Sequence, residues 1–372
     1  MKKRFLLCGL LTVLTSCNVT VVETSLFMRS VDDIEVHSDL VKEFYAQEKY
    51  DYSDLSPYVT AKDDLGDNLP VHLSWNGHTN LDKKIIYDVS IYEGEKEYIS
   101  FKTEKSEYDF YNYKLDEEYT IEVALTIDDE VHEEVSTSFV TPKGKVRTIT
   151  VDGVNNFRDL GRGVKIKQGF IYRSATLENN TVIDEDNPIS ISEEGKKQVA
   201  SLKLKSEIDL RKEDEKGIKD KSILDLNYFD AGLYYGGQNI LTYKNSEYDN
   251  PKTIKNILEF LADEKNYPVV FHCVRGTDRT GFLAFVIKGL LGVEEEELKR
   301  DFIFSNFYNI GSPVKLDSIE YTVNPNAVTR YVNVFKQTEG DTLQQKIYNY
   351  LSGDKIGVSQ DNLNSIINIL KK

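Results

Sequence analysis

Residues 269–281 constrain the fold of this chain more than any other part of its sequence. They open with Val-Val-Phe, a short apolar run of the kind expected for a strand buried on both faces. From Thr280 the sequence continues as an apolar stretch that closes at Gly292 and predicts a buried helix. A polar loop lies between the two. Strands that alternate with helices in this way predict an α/β domain built on a parallel or mixed sheet.

The loop between Cys273 and Arg279 has the composition of an anion-binding turn. Its five residues allow successive backbone N–H groups to point inward, and Gly276 allows a curl that a side chain would obstruct. The following helix adds the positive end of its dipole, and this field favours the thiolate form of Cys273. Because a planar guanidinium can hold two phosphate oxygens at once, Arg279 is suited to clamp a phosphoryl group while Cys273 attacks it.

The full pattern His-Cys-x-x-Gly-x-Asp-Arg-Thr-Gly resembles the loop of a bacterial protein-tyrosine-phosphatase subfamily of the tyrosine/lipid phosphatase type. Further motifs of that subfamily follow in the same order, at residues 155–161, 169–175, 208–211 and 301–306. The resemblance covers residues 150–372. It implies an α/β tyrosine-phosphatase fold with a central, mostly parallel sheet, and a Cys-dependent phosphomonoesterase that forms a phospho-cysteine intermediate.

Each loop residue receives an expected role. Cys273 is the nucleophile, Arg279 binds the phosphoryl group, and the Thr280 hydroxyl eases departure of the sulfur. The other positions expected to bind substrate are Val274, Arg275, Gly276 and Thr277. The residues expected to support the site from outside are His272, Arg158, Asp159, Arg173 and Asp209. We expect His272 to orient the loop through backbone groups, and the two aspartates to pair with arginines or cap elements.

Two carboxylic acids compete for the task of protonating the leaving oxygen. Asp278 lies inside the loop and is the acid that the resemblance implies. Asp230 lies in the segment 225–237, and many phosphatases carry their acid on a separate mobile loop. We favour Asp278 and keep Asp230 as the alternative.

Two departures from the subfamily pattern bear on the substrate. Thr277 replaces a Lys whose charge favours multiply phosphorylated lipids, and Arg162 replaces the second Gly of the opening motif. The first change weakens a phosphoinositide interpretation, although Arg275 can restore some charge. We predict a protein-tyrosine phosphatase. A phosphoinositide or inositol-polyphosphate phosphatase remains the alternative enzyme, and a phosphate-binding pseudophosphatase or surface interaction protein the alternative without catalysis.

Residues 55–142 alternate apolar and polar positions as an all-β module does. The clearest period-two run consists of Tyr119, Ile121, Val123, Leu125 and Ile127. Many short strands with turns between them predict a sandwich. The order of Trp75, the step at 115–119 and the Ser-Phe-Val-Thr-Pro end at 138–142 resembles a fibronectin type III domain, which implies spacing or docking.

The first residues are typical of an export signal. Lys and Arg at 2–4 precede an apolar stretch at 5–14 that is too short to span a bilayer. The Leu-Thr-Ser-Cys that follows resembles a bacterial lipobox, whose Cys is lipidated and becomes the first residue after cleavage. We predict a signal peptide at 1–16, lipidation at Cys17, a lipid-anchored spacer at 17–54, the β-sandwich at 55–142 and the catalytic domain at 146–372.

The expected location is therefore the outside of a bacterial cell membrane. The formal net charge of −16 argues against a nucleic-acid partner, because phosphate backbones attract basic surfaces. The expected partners are a phosphotyrosine protein or another phosphomonoester, and the membrane through the lipid on Cys17. In the catalytic domain the only His and Cys are the adjacent His272 and Cys273, so we predict no metal site and no cofactor.

Overall fold

The computed structural model describes residues 25–31, 34–47, 66–77, 84–161, 165–180, 188–218, 220–235, 240–308 and 333–372. The chain divides into two compact units. Unit 1 comprises Met1–Ile34, Val71–Phe110 and Asp116–Thr141, and unit 2 comprises Glu35–Pro70, Tyr111–Leu115 and Pro142–Lys372. The predicted signal peptide, Cys17 and Arg162 lie outside the described residues.

Unit 1 is built from antiparallel strands, as its alternating pattern predicted. One sheet pairs β1 with β4, and the other has the order β3-β2-β5-β6. The strands are β1 (Val71–Ser74), β2 (Ile85–Glu93), β3 (Lys96–Thr103), β4 (Glu107–Phe110), β5 (Glu118–Ile127) and β6 (Glu130–Val140). Alternate residues of β5 from Tyr119 to Leu125 are buried, and Trp75 is buried with its ring 5.5 Å from that of Tyr87. This all-β unit is thus held by two facing apolar layers.

Unit 2 is organised around a five-stranded sheet in the order β10-β9-β11-β8-β7. The strands are β7 (Arg158–Asp159), β8 (Ile171–Ser174), β9 (Ser206–Asp209), β10 (Asn227–Asp230) and β11 (Val269–His272). All pairs are parallel except β7 with β8, so the prediction of a mostly parallel sheet is confirmed. Every residue of the central strand β11 is buried, which explains its uninterrupted apolar run.

The strand register brings four carboxyl ends to one edge of this sheet. His272 pairs with Ser174 on one side and Asp209 on the other, and Asp209 pairs with Asp230. In open α/β sheets this edge is where ligands bind. The loop that contains Cys273 begins here.

Helices and short 3-10 turns cover the sheet. The helices are α1 (Asp39–Ala46), α2 (Glu193–Ala200), α3 (Asn250–Leu261), α4 (Asp278–Leu290), α5 (Glu295–Ile303), α6 (Leu343–Ser352) and α7 (Gln360–Leu370). The 3-10 turns are Glu213–Glu215, Glu264–Asn266 and Phe304–Phe307. The residues of α4 from Arg279 to Leu290 are all buried, as predicted for the helix after the loop. Among the described residues, no helix is both long and apolar enough to span a lipid bilayer.

Helix α1 belongs to unit 2, although it lies within the segment 17–54 that we predicted to be a spacer. The ring of Phe44 is fully buried and packs edge-on against Phe304 at 5.8 Å and Phe307 at 4.9 Å. Aromatic contacts of this kind fix the helix on its neighbours. The part of that segment before residue 25 lies outside the described residues.

Candidate active site

Cys273 lies at the end of the central strand, at the base of the loop. It is a free cysteine that is only 2% exposed, and it belongs to the main apolar core of unit 2. Helix α4 begins at Asp278, so only residues 274–277 form the turn between strand and helix. The buried Cys273 therefore lies at the base of a turn of only four residues.

Three successive carbonyl groups of this loop accept hydrogen bonds from residues outside the loop. The Thr176 N–H donates to the carbonyl of Val274 at 3.1 Å. The Asn156 amide donates to that of Arg275 at 3.1 Å, and the Arg173 guanidinium to that of Gly276 at 2.6 Å. In a trans peptide the C=O and the next N–H point in opposite directions. The N–H groups of residues 275–277 therefore point into the loop, which is the arrangement of an anion nest.

Gly276 occupies a position that another residue would distort. Its φ is +70°, in the left-handed region that favours glycine. A Cβ atom there would lie 2.5 Å from the carbonyl oxygen of Ser174 and 2.7 Å from the backbone nitrogen of Ala175. The loop thus rests directly on the backbone that follows β8, and the predicted role of this glycine has a steric cause.

The guanidinium of Arg279 is oriented by a carboxylate from another loop. Its two terminal nitrogens donate to Glu215 at 2.5 and 3.0 Å, and one also donates to the Leu210 carbonyl at 3.3 Å. Burial lowers the pKa of Arg279, but the charges of Cys273, Glu215 and Asp278 outweigh it and the net shift is upward. The side chain is therefore a permanent cation, held in a fixed plane beside the sulfur.

The two arginines that support the loop share one carboxylate. Arg173 donates to Asp301 at 2.7 Å, and Arg158 donates to the Asp301 carbonyl at 2.9 Å with its Nε 3.8 Å from the carboxylate. Arg158 also donates a short hydrogen bond to Asn156, the residue that holds the Arg275 carbonyl. The Lys288 ammonium lies 2.9 Å from Asp301. Burial raises the pKa of Asp301, but its three cations outweigh this effect and lower it strongly.

His272 bonds a side chain where we expected backbone groups. Its Nε2 lies 2.9 Å from Glu207, and its Nδ1 lies 3.9 Å from Asp209. A carboxylate on the neighbouring strand thus fixes the imidazole, because β9 and β11 are paired at this register. Glu207 was not predicted as a site residue.

These three residues form the one cluster in the described part of the chain with metal-ligand spacing, since their ligand atoms lie within 4.8 Å of one another. Their oxygens are already engaged. Ser222 donates to Glu207 at 2.5 Å, Tyr228 donates to Asp209 at 2.9 Å, and Arg211 contacts both oxygens of Asp209. Burial raises the pKa of Asp209, but His272 and Arg211 lower it strongly overall. The three side chains thus belong to a hydrogen-bonded network in which the Arg211 guanidinium supplies the positive charge.

The two candidate acids have different surroundings. Asp278 is half-buried at the first position of α4, and it accepts hydrogen bonds from Thr277 at 3.2 Å and from the Tyr235 hydroxyl. Burial raises its pKa, although Thr277, Arg275, Arg279 and Tyr235 oppose the shift. A raised pKa suits a group that must deliver a proton.

Asp230 lies at the end of β10, two strands from β11 and therefore about 10 Å away at the usual strand spacing. Its carboxylate is 2.5 Å from the Lys216 ammonium, whose side chain is 1% exposed. The structure thus brings Asp278 to the loop and leaves Asp230 in an ion pair at the neighbouring strand end.

The remaining predicted residues divide between the loop and the scaffold. Asp159 accepts from Arg147 at 2.7 Å and from the N–H groups of Gly161 and Gly169, so it holds the turn before β8. Thr280 is buried in the first turn of α4, and its hydroxyl has no hydrogen-bond partner among the described residues. An unsatisfied buried hydroxyl next to the loop is available to an incoming group.

Lys288 was not predicted as a site residue. It is the one charged side chain in the apolar run of α4, and this position could have indicated it, because a buried lysine requires a partner.

Comparisons with known proteins place this site in a family. Residues 149–370 match the model of the tyrosine phosphatase family. A tyrosine-protein phosphatase from Nostoc commune is 33% identical over 63 residues, which is 17% of this chain and 21% of the relative, so the match spans about a fifth of that protein.

Two solved structures have low similarity to this chain. The core catalytic domain of the PP-IP phosphatase Siw14 from S. cerevisiae has 20% identity and a TM-score of 0.27, covering 47% of this chain and 96% of that one. TpbA from P. aeruginosa has 16% identity and a TM-score of 0.28, covering 49% of this chain and 88% of that one. TM-scores this low do not support a comparison of folds.

We predict that Gly276→Ala weakens binding of inorganic phosphate at least about tenfold, because the loop must move off the Ser174 carbonyl. The strain should also lower stability by about 1–3 kcal/mol. Gly357→Ala is the matched control, since Gly357 has a φ of +75° but no other described atom within 4 Å of its Cβ position. Calorimetric titration with phosphate and thermal unfolding measure both effects. Equal phosphate affinity in the two variants would contradict the steric role.

Proposed function

The chain belongs to the tyrosine phosphatase family, and on this basis we propose that it is a Cys-dependent phosphomonoesterase that acts on phosphotyrosine. The observation that carries the proposal is the loop around Cys273, whose three outward carbonyls leave three N–H groups for an anion. The fixed guanidinium of Arg279 completes the ring of donors. Such preorganised donors stabilise the charge that spreads over the phosphoryl oxygens in the transition state.

The proposed reaction has two steps. In the first, the Cys273 thiolate attacks phosphorus, the S–P bond forms and the P–O bond to the alcohol breaks, while Asp278 gives its proton to the leaving oxygen. In the second, water attacks the phospho-cysteine, and the S–P bond breaks to release inorganic phosphate. Water loses its proton to the Asp278 carboxylate, and the Thr280 hydroxyl donates to the departing sulfur. Both steps use the same set of phosphate donors.

The charges around the site favour a substrate with a single phosphate. Thr277 supplies no positive charge at the position where a Lys favours multiply phosphorylated lipids. Burial raises the pKa of Tyr248 to about 12, with help from Glu247, Asp214 and Glu215, which indicates an acidic neighbourhood. Negative charges repel inositol polyphosphates more than a monoester.

Aromatic side chains accompany these acids. The ring of Tyr234 stacks on Tyr243 at 3.9 Å and lies 5.5 Å from Tyr248. The adjacent Tyr235 reaches Asp278, which links this cluster to the loop. A phenyl ring bearing the phosphate would find apolar contact here. Arg275 is the observation that favours the inositol-phosphate alternative, because it is a half-buried cation within the loop.

We expect phosphate release from a phosphotyrosine peptide to exceed release from phosphoinositides and inositol hexakisphosphate, with EDTA present in each assay. Cys273→Ser should lower turnover by about 10⁴-fold or more, because the nucleophile is lost. Thermal unfolding shows whether the variant is folded. A preference for inositol hexakisphosphate would select the alternative enzyme. No turnover on any substrate by the folded protein would favour a phosphate-binding or adhesive role.

Asp278→Asn should lower kcat for phenyl phosphate by about 10²–10⁴-fold, and less for p-nitrophenyl phosphate, whose leaving group needs little protonation. The acid works only when protonated, so activity falls as pH rises through its pKa. Because that pKa is raised, the wild-type profile should extend above the usual Asp range, and the substitution should remove this falling limb. Asp230→Asn is the matched control. If Asp230→Asn removed the limb and Asp278→Asn did not, the acid would be Asp230.

We further propose that the chain is an exported lipoprotein in which unit 1 is a fibronectin type III-like spacer before the catalytic domain. The lipobox-like sequence ending at Cys17 supports the first part. The buried Trp75 and Tyr119 in antiparallel sheets support the second, as does the division of the units at Thr141 and Pro142. Tyr111–Leu115, which lies within the predicted module at 55–142, belongs to unit 2.

If Cys17 carries the lipid, Cys17→Ser should move the protein from the membrane fraction to the soluble fraction of a bacterial host and abolish labelling by a tagged fatty acid. Cys8→Ser is the control, because this residue lies in the predicted signal and should leave both readouts unchanged. Continued fatty-acid labelling of the Cys17→Ser chain would refute the anchor.

A further inference from the structure

A cationic cluster lies behind the loop. Its members are Arg158, Arg173, Lys288 and Asp301, and none of these side chains is more than 11% exposed. The cluster joins β7, β8, α4 and α5, so four elements of unit 2 meet at one carboxylate. Charges this deeply buried interact strongly, because little water screens them.

One carboxylate serves three cations in this cluster. Asp301 accepts from Arg173 at 2.7 Å and from Lys288 at 2.9 Å, and it lies 3.8 Å from Arg158. The two arginines alone exceed its charge, and Lys288 adds a third cation, which shares Oδ1 of Asp301 with Arg158 while Arg173 bonds Oδ2. Burial and the repulsion of Arg158 lower the pKa of Arg173 to about 10, which agrees with a surplus of positive charge.

Arg173 connects this surplus of positive charge to the loop. One arm of its guanidinium bonds Asp301, and the other bonds the carbonyl of Gly276 at 2.6 Å. This arm also lies beside the first turns of α4, since the Cβ position of Gly281 is 3.6 Å from the Arg173 nitrogen. Lys288 lies two helical turns after Gly281 on the same face of α4. Because side chains of a helix lean toward its N-terminus, the Lys288 side chain extends toward the loop.

We infer that Lys288 and Asp301 are positioning residues of the phosphate loop: by sharing their charges with Arg173, they set the positive potential in which Cys273 and its anion are held. Neither side chain needs to touch the substrate. The negative charge of Cys273 acts favourably on Arg173, as this coupling requires. The inference rests on the proposed phosphate-binding use of this loop.

The test compares how fast Cys273 reacts with two reagents in the full chain, in a background of Cys8→Ser and Cys17→Ser. Iodoacetate is an anion and iodoacetamide is neutral, so at fixed pH the ratio of their rates reports the local potential and cancels the thiolate fraction. We expect Lys288→Met to lower this ratio about three- to tenfold, as removal of a charge about 10 Å away predicts. Lys288→Arg keeps the charge and should keep the ratio.

Lys252→Met is the matched control, because Lys252 is an exposed lysine of the same unit. An unchanged ratio in Lys288→Met, with or without a lower unfolding temperature, would overturn the inference and leave Lys288 a purely structural residue. A Cys273 that reacts with neither reagent would contradict the proposed function. The inference would then be decided by calorimetry with tungstate, whose dissociation constant should rise at least about threefold in Lys288→Met alone.

Discussion

The site depends on hydrogen bonds that pull three loop carbonyls outward. Thr176, Asn156 and Arg173 each hold one of them, and every bond comes from an element before the loop in sequence. Since a peptide plane is rigid, fixing a carbonyl also fixes the N–H on its opposite side. The phosphate donors are thus positioned by groups that never face the substrate, and they need no rearrangement when an anion arrives.

Buried arginines and their carboxylate partners favour one register of the strands in this sheet. Arg147, Arg158, Arg173 and Arg211 are all buried in a chain whose formal net charge is −16. Arg147 and Arg211 each have a carboxylate, while Arg158 and Arg173 share Asp301. A buried pair adds little net stability, but a strand that slipped by one residue would leave a charge unpaired. The network therefore selects one register of the sheet.

The features that could be predicted from the sequence are formed by residues close together in the chain. The apolar run of β11, the short loop and the buried helix α4 are adjacent along the chain, and their composition alone indicates an anion nest. The mostly parallel sheet and the all-β unit also follow from patterns of alternation. The contacts of Glu215 with Arg279, and of Lys288 with Asp301, could not be predicted in this way, because they join elements that come together only after folding. His272 illustrates the same limit, since its partner Glu207 lies on a strand 65 residues away.

Four strand ends meet at one edge of the sheet, and the segments that follow them differ in how much sequence change they can accept during evolution. The loop after β11 and the backbone after β8 interlock at Gly276, so neither tolerates much variation. The segments after β9 and β10 meet the same edge, and they contact the site only through side chains such as Glu215, which bonds Arg279, and Tyr235, which bonds Asp278. Insertions and substitutions in those segments that keep Glu215 and Tyr235 can therefore redirect the protein to new substrates while the chemistry is inherited.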